Sequence, residues 1–224
     1  MASPVNYLPL ASFPNASEKD IKKIEQSALS DIMKFGMLQL FAVVVAVALT
    51  FLSITGSLSI ISAAFSGSPI GSFIANTSTN FYYNGYIEAL IIWTILFFSL
   101  IYLWLAFRSL SRIDKVHFLT PKRFALFILS GLSVSLALIV AIEAQLFFSL
   151  GDIPTGIYII SEVLLTVGFI GAEAYGLWRV SNRFDSLLLT MAAVFCLFAP
   201  IIWQILVVIG AYNSKIKNLP PKIT

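Results

Sequence analysis

The chain has 224 residues, of which 58% are hydrophobic and only 11% are charged, and its net charge is +3. Soluble domains carry about 25% charged residues, so this composition excludes an ordinary soluble domain. The basic residues lie beside apolar segments, so the positive charge indicates orientation in a membrane rather than nucleic-acid binding.

The first 34 residues divide into two parts. Residues 1–16 are polar and contain three prolines, which predicts an extended arm rather than a cleavable signal peptide. Ser17 followed by Asp20 is typical of a helix N-cap, and apolar residues then recur at helical spacing. We therefore predict an amphipathic cytoplasmic helix over 17–34, which either lies on the membrane surface or continues into the first span.

Five apolar segments follow, each longer than the roughly 20 residues that cross a hydrocarbon core of about 30 Å. They predict membrane spans at 35–61, 86–107, 124–150, 157–178 and 186–212. The predicted fold is therefore all-α, an integral membrane helical bundle of five transmembrane helices preceded by the amphipathic helix. The transmembrane domain covers 35–212, and a tail covers 213–224.

Lysine and arginine alternate between the two sides of this arrangement. The segment before span 1 and the loops after spans 2 and 4 hold eleven of the 14 basic residues, while the loops after spans 1 and 3 hold none. The positive-inside rule then predicts a plasma-membrane protein with a cytoplasmic N-terminus and an external C-terminus. The tail breaks the rule, because it contains Lys215, Lys217 and Lys222.

Carboxyl groups inside the predicted spans are candidates for function. Glu143 lies in span 3, and Glu162 and Glu173 lie in span 4, eleven residues apart, which is close to three helical turns. A charged carboxylate in lipid is expensive. The three acids therefore predict a proton or cation path, neutral or hydrogen-bonded acids that join helices, or contacts with a partner subunit.

A short pattern occurs at the inner ends of spans 2 and 4: an aromatic residue, Arg, three residues, Arg, an apolar residue and Asp. It suggests that spans 2–3 and 4–5 are two related hairpins. Arginines four residues apart share a helix face and can hold a lipid phosphate, although basic and aromatic residues collect at any inner interface. The candidate lipid-phosphate contacts are Arg108, Arg112, Arg179 and Arg183.

Three weaker signals complete the pattern. Small residues in span 4 predict close helix packing. Pro200 predicts a kink in span 5. Asn76 lies in a glycosylation sequon within the predicted external loop 62–85 and is a possible acceptor.

Nothing in the sequence predicts catalysis. A single histidine, His117, and a single cysteine, Cys196, lie far apart in the chain, which argues against haem, zinc or iron–sulfur ligation. No nucleotide-binding glycine motif occurs. We therefore expect no enzyme activity, no metal and no cofactor.

The layout resembles a family of uncharacterised multi-pass membrane proteins of thermoacidophilic archaea. The shared features are the charged lead-in at 24–31, the long first span, Ser/Thr-rich external loops and basic inner turns such as 107–112. The resemblance covers most of the chain as a pattern and brings no assigned activity. It implies an archaeal plasma membrane with an acidic exterior, where Glu88, Glu143 and Glu162 are protonated without a partner.

Two functions emerge as hypotheses. The first is a non-catalytic accessory subunit of a larger respiratory or secretion complex, with other membrane subunits and lipids as partners and no nucleic acid. The second is a small oligomeric proton- or cation-coupled transporter or channel that uses Glu143, Glu162 and Glu173. A third and weaker option is lipid or quinone binding on the aromatic face of span 2, which contains Trp93, Phe97 and Trp104.

Overall fold

The structure is a computed structural model, and it describes residues 17–65, 70–143, 160, 163–165, 167–196 and 198–218, without the side chains of 50, 52–90, 135, 138–143 and 200. Every regular element in these residues is a helix. The helices are α1 (Glu18–Phe65), α2 (Ile70–Ile113), α3 (Lys115–Glu143), α4 (Val163–Phe184), α5 (Leu187–Phe195) and α6 (Pro200–Lys217).

The amphipathic lead-in and the first apolar segment form one continuous helix. Ser17 caps it as expected, since the Asp20 N–H donates to Ser17 Oγ at 3.2 Å and Ser17 Oγ donates to Asp20 Oδ2 at 2.7 Å. At 48 residues α1 is about 72 Å long, more than twice the thickness of a hydrocarbon core. Helix α1 therefore has room for both a membrane span and a segment outside the membrane.

The predicted external loop 62–85 is mostly helical. Helix α1 extends to Phe65 and α2 begins at Ile70, so Asn76 lies within a helix rather than in a loop. The composition of this segment favours turns, since residues 76–80 are five consecutive polar residues, but the helix continues through them.

Three helices in the described part of the chain are long and apolar enough to cross a membrane. These segments are Glu18–Leu49, Ile91–Ile113 and Val163–Phe184. They fall on the first, second and fourth predicted spans, and they make this chain a membrane protein by length and composition.

The fifth predicted span, 186–212, is two helices instead of one. Helix α5 has nine residues, and after a turn α6 begins with Pro200 in its first turn. Proline lacks a backbone N–H and is suited to the start of a helix, so this residue marks a new helix rather than a kink. Helix α6 then packs against α5, because a Cβ built on Gly210 would lie 3.0 Å from Leu189 Cγ.

This hairpin returns the chain to the N-terminal part of α1. A Cβ built on Gly36 would lie 2.9 Å from Val208 Cγ2, and Gln26 Nε2 donates to the Asn218 carbonyl oxygen at 3.0 Å. Helices α1 and α6 are therefore antiparallel neighbours. The external C-terminus stays a prediction, and in this structure residues 26 and 218 lie side by side.

Four segments meet at one end of the molecule, which we call the basic end. They are the N-terminal part of α1, the turn between α2 and α3, the turn between α4 and α5, and the C-terminal end of α6. Fully buried apolar side chains fill the interior nearby. The largest are Phe35, Phe107, Phe118, Leu29, Ile32, Leu103, Leu110, Leu132, Leu177 and Leu189.

Candidate functional site

Glu173 is the one predicted intramembrane acid whose side chain the structure describes. Glu162 lies outside the described residues. Glu143 is the last described residue of α3, and its side chain, like that of Asn76, is outside the description. The proposed roles of Glu143, Glu162 and Asn76 therefore stay predictions.

Glu173 lies in a π-helical turn of α4, Ile170–Ala174, which interrupts the α-helix. Such turns contain an extra residue and occur frequently at functional sites. The π turn has no counterpart in the sequence pattern, since it depends on how α4 packs on its neighbours.

Close contacts through glycine surround this turn. A Cβ on Gly171 would lie 2.1 Å from Phe124 Cγ on α3, and one on Gly168 would lie 2.7 Å from the Ile128 backbone nitrogen. A Cβ on Gly176 would lie 2.3 Å from Phe107 Cζ on α2. The small residues therefore provide the close packing that the sequence predicts, and bulky rings from α2 and α3 lie directly against α4.

The Glu173 side chain is enclosed by its own chain. The residue is 4% exposed, and its Oε2 atom is buried without a hydrogen-bond partner among the described residues. Helix α5 packs against the same π turn. The described helices therefore cover this carboxyl group within the chain itself.

Contacts between α3 and α4 also fix the level of Glu173 along the molecule. Gly168 lies against Ile128 and Gly171 lies against Phe124, so residue numbers fall along α3 as they rise along α4. At this register Glu173 is level with Lys122, which belongs to the basic end. The acid therefore lies nearer that end than the middle of the apolar region.

Arg183 is the centre of an ion-pair network at the basic end. Its Nε and Nη2 atoms donate to Glu25 Oε1 at 3.0 and 2.7 Å, and its Nη1 lies 3.9 Å from Asp114 Oδ2. Asp114 Oδ2 is in turn 2.8 Å from His117 Nδ1. The network joins α1, the α2–α3 turn and α4, so Arg183 has a structural role, and its lipid contact stays a prediction. No sequence pattern indicates Glu25 as its partner, because the two residues are 158 positions apart.

Two of the other three arginines that the sequence predicts as lipid contacts stack on aromatic rings. The Arg108 guanidinium lies 5.2 Å from the Trp104 ring centroid, and that of Arg179 lies 4.9 Å from the Tyr175 centroid. The Nε of Arg179 also donates to Tyr175 Oη at 2.8 Å. Each ring is one helical turn before its arginine and lies outside the repeated pattern, whose own aromatic residues are Phe107 and Trp178. Arg112 is exposed.

The exposed arginines can neutralise anions at the surface, and the Arg183 network joins helices.

Comparisons with models of protein families, with curated proteins and with solved structures find no match to this chain.

Proposed function

We propose that this chain is a non-catalytic accessory subunit of a larger membrane protein complex, of respiratory or secretion type. The observation that carries the proposal is the use of its buried polar side chains. Gln39 Nε2 donates to Ser99 Oγ at 3.1 Å and joins α1 to α2, and Arg183 joins α4 to α1 through Glu25. Polar groups that fasten helices together are typical of a rigid scaffold, whereas transporters use broken helices around a central site.

In this proposal the protein lies in the plasma membrane with its N-terminal segment in the cytoplasm. The three apolar helices cross the membrane, and the span predicted from the sequence at 124–150 supplies a further crossing. An archaeal host with an acidic exterior, as the resemblance implies, would keep outward-facing acids such as Glu88 neutral.

The outer face of α1 is the surface that we propose for partner subunits. Met37, Phe41 and Val44 follow one another at helical spacing and are 53%, 55% and 63% exposed. A stripe of this kind contacts either lipid or another helix. Glu173 is unsuitable for such a contact because its own chain encloses it.

The alternative function is proton- or cation-coupled transport by Glu143, Glu162 and Glu173. One observation favours it: Glu173 Oε2 is buried without a hydrogen-bond partner among the described residues, in a π turn. An intramembrane acid is a functional candidate by default. The burial of Glu173, which leaves 4% of the residue exposed, argues for a structural role instead.

Mild-detergent extraction from the native membrane, followed by mass measurement of the intact assembly, tests the first function. The expected result is a complex of fixed stoichiometry with larger subunits. Photo-crosslinking from position 41 should then yield an adduct with one of those subunits, whereas position 127 on α3 serves as an exposed control. A chain that migrates alone or only with copies of itself would contradict the proposal.

A flux assay in liposomes tests the alternative. Transport predicts that Glu173→Gln abolishes proton or cation flux, while Asp20→Asn, an exposed carboxyl at the start of α1, leaves flux unchanged. Equal flux from the parent and Glu173→Gln would exclude transport through this acid.

A further inference from the structure

We propose that the basic end is a binding surface for anionic phospholipid headgroups, and that the α5–α6 hairpin enters the membrane from this side and returns to it, which adds the C-terminal lysines to the surface. The proposal rests on the membrane location of the chain but not on its role as a subunit.

The hairpin is too short to cross a membrane. Helix α6 has 18 residues, but its last turn contains Lys215 and Lys217, so its apolar part from Pro200 to Tyr212 spans about 18 Å at the helical rise, against a hydrocarbon core of about 30 Å. Helix α5 has nine residues, or about 13 Å. The turn between them therefore lies at an intermediate depth.

The backbone of this turn is suited to that depth. Non-helical backbone inside a membrane must have its polar groups satisfied. The N–H groups of Phe198 and Ala199 donate to the Phe195 carbonyl oxygen at 3.0 and 2.8 Å, and Pro200 has no N–H to satisfy. The hairpin thus reverses direction with few unpaired donors.

The return of the hairpin removes the exception to the positive-inside rule. All 14 lysines and arginines fall before residue 35, within 108–123, within 179–185 or after residue 214. Each of these segments belongs to the basic end or continues from it, whereas a fifth crossing would place three lysines on the far side. The same segments contain only six carboxylates, so the surface is strongly positive.

Some of these cations already have partners. Lys22 is 2.8 Å from Glu18, Lys34 is 3.5 Å from Asp31, and Arg183 is held by Glu25. Arg108 and Arg179, in contrast, have no carboxylate within ion-pair distance among the described residues. Arg112 and Arg123 also lack such a carboxylate, so what distinguishes Arg108 and Arg179 among the described residues is the ring on which each guanidinium stacks.

Aromatic stacking orients these two arginines toward a headgroup. A guanidinium on a ring keeps its planar N–H edge available, and that edge matches the geometry of a phosphate. Trp104 and Tyr175 lie one turn closer to the apolar part of their helices than Arg108 and Arg179, which is where aromatic residues collect at a membrane interface. The surface therefore fits a lipid phosphate at the membrane rather than free phosphate in water.

Lipid titration of the delipidated full-length protein by native mass spectrometry tests the binding surface. We expect phosphatidylglycerol to bind more tightly than phosphatidylcholine. Each basic side chain near an anionic surface strengthens binding about fivefold, so Arg108→Gln with Arg179→Gln should weaken phosphatidylglycerol binding roughly 10- to 30-fold.

The matched control is Lys19→Gln with Lys22→Gln, which removes the same charge from the first turns of α1; these turns continue beyond the binding surface, about 18 Å or more before Lys34. It should weaken binding less than about threefold. Equal losses in both double variants would overturn the proposed arginine site, as would displacement of the lipid by millimolar inorganic phosphate. Either result leaves the search for partner subunits unaffected.

Cysteine accessibility tests the hairpin. In a Cys196→Ala background, single cysteines replace Lys19 or Asn218, and sealed cells are treated with a membrane-impermeant maleimide. We expect both positions to be protected until the membrane is permeabilised. Labelling of position 218 in sealed cells while position 19 stays protected would overturn the returning hairpin.

Discussion

The two turns at the basic end have the same sequence pattern, but different interactions hold them. In the α2–α3 turn, Asp114 Oδ1 accepts the N–H of His117 at 3.1 Å, so a side chain caps α3. In the α4–α5 turn, Asp185 adopts a left-handed backbone with φ of 47°, and its N–H donates to the Ser181 carbonyl oxygen. The first turn depends on a side chain and the second on the backbone.

The difference extends to the helix after each turn. Helix α3 has 29 described residues, whereas α5 has nine and then reverses. Arg112 of the first turn is exposed, whereas Arg183 of the second is bound to Glu25 on α1. The local repeat therefore predicts where the chain turns, but distant contacts determine the length of the helix that follows and the partner of the second arginine.

The largest expected effect tests the packing of α4, the helix that enters the second turn. Gly171→Ala should lower the free energy of unfolding by about 2–3 kcal/mol, because its Cβ would lie 2.1 Å from Phe124 Cγ. The matched control, Gly210→Ala, meets only the Leu189 side chain and backbone nitrogen at 3.0–3.1 Å and should cost less than about 1 kcal/mol. Denaturation in mixed micelles, followed by circular dichroism, measures both, and equal losses would show that α4 is not the tightly packed helix.

The next effect compares the two arginines that end the repeated pattern. Arg183→Gln leaves Glu25 without its cation at a site where the two side chains are 19% and 13% exposed, so the free energy of unfolding should fall by about 2 kcal/mol. Arg112→Gln, at the equivalent exposed position, should change it by less than about 0.5 kcal/mol. If both variants unfold like the parent, the network around Arg183 does not stabilise the basic end.

A smaller difference in the free energy of unfolding is expected between variants of Asp114 and Asp185, the aspartates of the two turns. Asp114→Ala removes the cap of α3 and should cost about 1 kcal/mol. Asp185→Gly should stay within about 0.5 kcal/mol of the parent, because glycine adopts the left-handed conformation without strain. Thermal unfolding of the two purified variants in detergent distinguishes them, and a larger loss for Asp185→Gly would reverse the roles assigned to the two turns.

The sequence predicted the local features of this structure well. The cap at Ser17 and the apolar helices depend on residues near one another in the chain. The small residues Gly168 and Gly176 indicated close packing, but not their distant partners on α3 and α2. The π turn around Glu173 was not predictable, because it depends on contacts with α3.

The prediction of one continuous helix over 186–212 was wrong, although the sequence contained signals of the two helices found there. Hydropathy averages over 186–212 and cannot detect a turn made of apolar residues. Pro200 is compatible both with a kink inside one helix and with the first turn of a new one, and here it starts α6. The lysines of the tail were the other signal, since their breach of the positive-inside rule disappears when residue 218 lies beside Gln26.

The smallest expected effect sharpens the comparison between the two cation–π pairs. Tyr175→Phe keeps the ring under Arg179 but removes the acceptor of a 2.8 Å hydrogen bond at an exposed position, so the free energy of unfolding should fall by about 0.5 kcal/mol. Trp104→Phe loses apolar contact area but also removes the indole N–H, which is buried without a partner among the described residues. These two contributions oppose each other, so the net change should be near zero.

Unfolding measured at low and high salt separates these contributions. The hydrogen bond joins the Arg179 guanidinium to the uncharged Tyr175 hydroxyl at an exposed position. Salt should therefore weaken its contribution to the free energy of unfolding only slightly. A loss for Trp104→Phe that clearly exceeds the loss for Tyr175→Phe would mean that the first pair stabilises the protein through ring packing alone. The repeated pattern would then describe two similar sequences with unrelated energetic roles.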